Sequence, residues 1–324
     1  MNILVTGCAG LLGSNFCHWL IRNTHHTVIG VDNLSGGYKE NMPNHERFIF
    51  AELDINSDHL HDLFAIYHPK VVYAMAAYAS EGRADYIRRY IHQNNVVGMA
   101  NVINACINSN SKLIFTSSVA VYSGHPPFHE ETVPNPPDEY AIGKRMVELS
   151  IQIAGERHKM EWVIVRPRNV YGVRQSIFDP SRNLIGIFCY NALNKLPLTI
   201  FGSGNNKRCF TYIDDILAPL HRCMDYTNQI INLGSSIPYS INAAAHIFGE
   251  VTGYKNIIHT EERHEVKDAI CLTSKSEALL GYKDKTSLKD GITKMWEWCK
   301  TIPMRPKQIP PPLEVTKNKH SSII

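Results

Sequence analysis

Apolar positions in the first half of the chain alternate between two periods. Short runs rich in Val, Ile and Leu occur at Ile3 to Thr6, Thr27 to Val31, Val71 to Ala74, Lys112 to Thr116 and Trp162 to Val165. Such runs form strands buried on both faces. Between them, apolar residues recur every three or four positions, as Leu12, Phe16, Trp19 and Leu20 do over Leu11 to Ile21. Val96 to Cys106 and Ala141 to Ala154 read as further helices. Strand alternating with helix predicts an α/β chain built on a doubly wound parallel sheet. After Arg166 the rhythm breaks. Asp179 to Thr199 reads as a loop and a helix, Gly202 to Asn206 as a turn, and the stretch to Trp298 as mixed short strands and helices. This part is expected to form a smaller lobe over the carboxyl edge of the sheet. Residues 303–324, with Pro303, Pro306, Pro310, Pro311 and Pro312 and a basic, polar end, are a tail either draped over the surface or mobile.

Composition narrows the function classes. The net charge of +3, from 33 basic and 30 acidic residues, gives no reason to expect nucleic acid or an anionic membrane as partner. Eight scattered cysteines without a CxxC pair read as buried thiols in a reducing compartment. No stretch approaches 18 consecutive apolar residues, and Ile3-Leu4-Val5 lacks a basic leader, so a cytoplasmic protein is expected.

The first strand runs into Gly7-Cys8-Ala9-Gly10-Leu11-Leu12-Gly13, which opens the first helix. Gly7 permits the tight turn, Gly10 lets backbone approach a pyrophosphate, and Gly13 allows helix to pack closely on strand. The helix start offers unpaired N–H groups to the anion, with Leu11 and Leu12 in its first turn. Asp32 closes the second strand, followed by Asn33. Its carboxylate can accept ribose hydroxyls and would repel a 2′-phosphate, so NAD is expected rather than NADP. Further along, Tyr140 and Lys144 project from one face of a helix. An ammonium and a nicotinium charge both favour phenolate, which could take a proton from a substrate hydroxyl. Lys144 can also hold the nicotinamide ribose. With 15 tyrosines, about one Tyr-x-x-x-Lys match arises by chance, so the pair counts through its position. Asp58-His59-Leu60-His61-Asp62 places its histidines on different helix faces, and no metal is expected.

The chain resembles the extended short-chain dehydrogenase/reductase family, and among its members the NAD-dependent sugar-nucleotide epimerases and dehydratases. The likeness runs from Met1 to about Lys300. It is carried by the glycine turn, by Phe115-Thr116-Ser117-Ser118-Val119-Ala120-Val121-Tyr122, by Tyr140 and Lys144, by Arg166-Pro167-Arg168-Asn169-Val170-Tyr171-Gly172, and by Arg208-Cys209-Phe210-Thr211-Tyr212-Ile213-Asp214-Asp215. The resemblance implies a Rossmann-type domain of residues 1–175, with 209–238 returning to it. A substrate lobe of 176–208 and 239–302 is also implied. Ser118, Tyr140 and Lys144 would be catalytic. Asp54 would contact the adenine, with Ile55 beside it; Ala76 and Ala77 would let the chain pass close to the dinucleotide, and Asn94 would touch it. Asn169, Asn183, Arg208 and Arg263 would hold the nucleotide sugar, UDP being the implied nucleotide, and a homodimer is implied. Many relatives carry His where Ala74 sits. The segment Glu81 to Tyr90, with Arg83, Arg88 and Arg89, matches no motif and reads as a solvated or dimer-facing helix.

By the same resemblance, dehydratases place Asp-Glu directly after the catalytic Thr, and decarboxylating relatives carry a Glu in this stretch. Here Val119 and Ala120 can do neither job. The expected reaction is therefore inversion at C4 through a 4-keto sugar. The alternatives are a dehydratase, decarboxylase or reductase of the same family, or a non-catalytic NAD-binding sensor.

Overall fold

The five predicted strands lie side by side in one sheet of the computed structural model, which describes residues 1–180, 183–262 and 268–317. They are β1 (Asn2–Thr6), β2 (Thr27–Asp32), β4 (Val71–Ala74), β5 (Lys112–Thr116) and β6 (Trp162–Pro167). Two strands outside the predicted set complete it: β3 (Phe48–Glu52) at one edge and Gln229–Leu233 at the other. The order is Gln229–Leu233, β6, β5, β4, β1, β2, β3, all parallel. This is the doubly wound sheet that the hydrophobic periods predict.

Period-two alternation sends neighbouring side chains into opposite layers. Ile3 and Val5 join Phe16, Leu20 and Ile213 on one face, while Leu4 joins Val102, Phe115 and Ile151 on the other. Each such fully buried side chain contributes roughly 1.5–3 kcal/mol. Strand order reverses between β1 and β4, and a crevice opens there, beyond the carboxyl ends of the strands.

The later part of the chain makes smaller pairings. Lys207–Cys209 lies between Pro238–Ser240 and Asp268–Ala269, and Leu198–Phe201 pairs with Ile257–Thr260. Helices Leu184–Leu193, Ile241–Thr252 and Leu288–Thr301 pack beside them. Residues 303–317 lie over the surface of the sheet domain, as one of the two readings of the tail expects. The Glu81 to Tyr90 stretch, expected as one solvated or dimer-facing helix, exposes Arg88 and Arg89. It forms two short turns in which Arg83 is buried. No helix among the described residues is long and apolar enough to cross a membrane.

Candidate active site

The crevice begins at the glycine turn. Gly7 has φ +74°, and a methyl group there would lie 2.8 Å from the Ala76 nitrogen. On Gly13 it would lie 2.1 Å from the Gly7 carbonyl oxygen. On Gly10 it would meet only that carbonyl, at 3.4 Å, so Gly10 faces the open side. The helix Leu11–Asn23 starts from Gly10 without a side-chain cap, leaving first-turn N–H groups for a ligand, and Leu11 and Leu12 are half-buried there. Asp32 accepts from Ala9 N at 3.0 Å and from Leu34 N at 2.8 Å, tying β2 to the turn. Burial raises its pKa against the lowering effect of those two bonds. Asn33 donates to Asp54 at 2.7 Å, and Asn56 binds the other oxygen of the same carboxylate. Burial works against the Asp54 charge, but these bonds outweigh it and lower its pKa. Ile55 packs under Gly98, Ala76 N donates to Thr6 Oγ1 at 3.1 Å, and Ala77 follows half-buried. A turn closed to a Cβ at Gly7 and Gly13, a bare helix start and a carboxylate at the end of β2 fit the dinucleotide NAD.

The helix Glu139–His158 carries Tyr140 and Lys144 one turn apart, capped by Asp138, which accepts from Ala141 N. Burial moves the Asp138 pKa up to about 6. Tyr140 is 7% exposed and packs with Ala84, Ile87 and Ile91. The Lys144 ammonium lies 5.8 Å from the centre of its ring, 4.8 Å from that of Phe115, and donates to the Thr116 carbonyl at 2.7 Å. Burial drives the Lys144 pKa down to about 7, with Glu148 opposing that fall. Thr116 ends β5, Ser117 follows it, and Ser118, buried, accepts from Ala120 N to start a tight turn over Val119–Val121. β5 and this helix thus bring Ser118, Tyr140 and Lys144 to the mouth of the crevice.

Behind them lies a charge network that the sequence reading missed. Glu148 is one turn beyond Lys144 and fully buried. Arg166 of β6 donates to both of its oxygens, at 2.8 and 2.7 Å. Ser117 and Arg145 donate to it as well, and Arg166 also bonds the Tyr122 hydroxyl, which donates to Asn232. Spacing on the helix was the available signal: Tyr140, Lys144 and Glu148 share one face.

On the substrate side, Asn169, at φ +37°, donates to the Cys209 carbonyl, beside Arg208. Arg208 donates to its neighbour's carbonyl, Lys207 O. Asn183 caps the helix Leu184–Leu193, accepts from Gln175 and donates to Val170 O. These three therefore gather around residues 169–170. Arg263 lies outside the described residues. Asn94, half-buried, donates its amide to Tyr90 O, and its neighbour Asn95 is buried, bonding Tyr78 N and O. Both asparagines lie on a wide helical turn over Gln93–Val97. His59 and His61 are occupied separately, by Asp62 and Asn101.

A model of the NAD dependent epimerase/dehydratase family matches residues 3–234. The chain is 30% identical over 305 residues to a putative UDP-glucose 4-epimerase of Methanocaldococcus jannaschii, covering 92% of this chain and 98% of that one. Its fold is similar to that of UDP-glucose 4-epimerase from Thermotoga maritima solved with UDP-glucose. The TM-score is 0.87 at 28% identity, over 93% of this chain and 99% of that one. UDP-glucuronic acid 4-epimerase from Bacillus cereus, solved with UDP-glucuronic acid and NAD, gives 0.86 at 27% identity over the same shares.

Proposed function

The chain belongs to the NAD-dependent epimerase/dehydratase family, and on that premise we propose that it inverts C4 of a UDP-hexose, such as UDP-glucose, UDP-galactose or an N-acetyl form, through a 4-keto sugar. It is an NAD-dependent enzyme, and bound NAD supplies the carbon that takes hydride from C4 and returns it. Tyr140 removes the C4 hydroxyl proton, and Ser118 bonds that hydroxyl. Lys144 supports the phenolate through its charge and holds the nicotinamide ribose. Gly7, Gly10 and Gly13 seat the pyrophosphate, Asp32 and Asn33 the ribose, and Asp54 the adenine. Asn169, Asn183 and Arg208 hold the nucleotide sugar, with the Arg208 fork facing the diphosphate. Once the alcohol is a ketone, C4 is flat; rotation of the sugar about its diphosphate tether presents the other face.

The observation that carries inversion over its alternatives is the turn after Ser118. Val119 and Ala120 occupy the positions from which a dehydratase acid or base would act, and neither can move a proton. The residues 1–175 with 209–238 are assigned to NAD, and 176–208 with 239–302 to the substrate. A homodimer is part of the same reading. Met146, Leu149 and Ile153 expose an apolar stripe on the Tyr140 helix, with Val97 also exposed nearby. A cytoplasmic setting is expected from the absence of any membrane-crossing helix among the described residues. The test is to incubate the protein with UDP-glucose, UDP-galactose, their N-acetyl forms and UDP-glucuronic acid and follow C4 by NMR. Inversion with NAD retained supports the assignment; a 4-keto-6-deoxy product, or NADH released at each turnover, overturns it.

A further inference from the structure

The tail and the unassigned arginine segment meet across the open side of the crevice. Arg305 lies 4.3 Å over the Tyr38 ring and pairs with Glu40, in the loop that follows β2. Gln308 N donates to Phe178 O at 2.9 Å, and its side chain accepts from Ser176. From there the prolines carry the backbone to the Glu81–Tyr90 segment. Arg83, buried, donates to Pro311 O at 2.8 Å. Leu313 packs into the cluster that holds Tyr140. Glu314 accepts from the backbone N–H groups of Arg89 and Tyr90 at 2.8 and 3.0 Å, while its own N–H and that of Val315 reach Tyr86 O.

Beneath this span is a cavity of about 300 Å³, lined by Ser35, Tyr78, Tyr90, Asp179, Gln308 and Pro311 among others. Ser35 stands three residues after Asp32, and its loop returns to the glycine turn, where Tyr38 N bonds Ala9 O. Tyr78 stands two residues after Ala76, which abuts Gly7. The cavity therefore lies between the glycine turn and Tyr140, where the middle and nicotinamide half of a dinucleotide would run.

We infer that residues 305–315 are the outer wall of the cofactor site, holding NAD in the crevice through a complete turnover. The Ser35 hydroxyl, the Gln308 amide, the tyrosine phenols and the Asp179 carboxylate on this cavity suit ribose hydroxyls. Prolines keep the span extended with little entropy to lose on closing. An enzyme that takes hydride and must return it to the same sugar needs its cofactor retained, because loss of NADH in mid-cycle leaves a stranded ketone. This inference rests on the NAD reading of the crevice, not on the choice of sugar.

The experiment compares the full chain with a chain ending at Met304 and with full-length Glu314→Ala, all loaded with NAD and passed through gel filtration. Bound nucleotide is read by absorbance, NADH dissociation by its fluorescence, and folding by circular dichroism. The full chain should keep its nucleotide. Both variants should keep their fold and lose NADH at least about tenfold faster, the truncated one most. Excess free NAD should restore whatever turnover the truncated chain loses. Unchanged retention and dissociation in both variants would overturn the inference. Nucleotide retention needs no sugar turnover, so failure of the C4 assay leaves this readout intact.

Discussion

The two sides of Tyr140 are built by opposite means. Behind it, Glu148 and Arg166 form a buried ion pair with hydrogen bonds to Ser117, Arg145 and Tyr122, at 0% and 1% side-chain exposure. In front, the tail has one bond from a buried side chain, Arg83 to Pro311 O, and its other ties, such as Glu314 to the Arg89 and Tyr90 amides, lie at the surface. A buried pair loses several kcal/mol when one partner is removed, because the other charge is stranded, whereas exposed pairs are worth roughly 0–1 kcal/mol. The rear wall therefore sets where Ser118 and Lys144 stand, and the front wall can open without unfolding the protein. A site that admits a sugar nucleotide yet retains its cofactor needs one wall of each kind.

The largest expected effect separates chemistry from both walls. Tyr140→Phe should lower turnover by about 10²–10⁴-fold with NAD still bound and melting temperature nearly unchanged. Near-normal kcat in that variant would remove the proposed base and, with it, the idea that the two walls serve this residue. Glu148→Ala should break the rear wall, costing about 3–5 kcal/mol in denaturant unfolding because Arg166 is left buried without its partner. A loss below about 1 kcal/mol would erase the contrast.

Lys144 sharpens it through pH. Its folded pKa of about 7 lies below the ordinary lysine value of 10.5, so between those values the unfolded chain binds a proton that the native protein does not. Stability contributed by this group should therefore rise with pH across that window, and Lys144→Met should abolish the rise. Parallel stability curves for the two proteins would show that burial does not lower the pKa of the amine. The smallest effect belongs to the front wall: Glu314→Ala should change global stability by less than about 1 kcal/mol, measured by the same unfolding. A larger loss would make the tail a structural element rather than a removable cover.

Much of the fold was legible because its causes are local. A strand buried on both faces must be a short apolar run, and five of the seven parallel strands stand out that way. β3 escaped because it is an edge strand whose residues are only half-buried, so its pattern is weaker. The glycine turn was legible because its conformation is needed within a few residues of sequence. Spacing puts Glu148 on the face of Tyr140 and Lys144, but only contact with β6 reveals the arginine opposite it.

Sequence by itself determined the parallel sheet, the phosphate-cradling turn and the side chains available for chemistry, since hydrophobic period and backbone freedom act between near neighbours. Tertiary structure alone decided that Glu148 is buried against Arg166 and that the proline segment crosses the crevice. The last depends on partners such as Arg83 and Pro311, 228 residues apart. Contacts at that separation leave no periodic trace in the chain, because neither partner's neighbours must change for the bond to form.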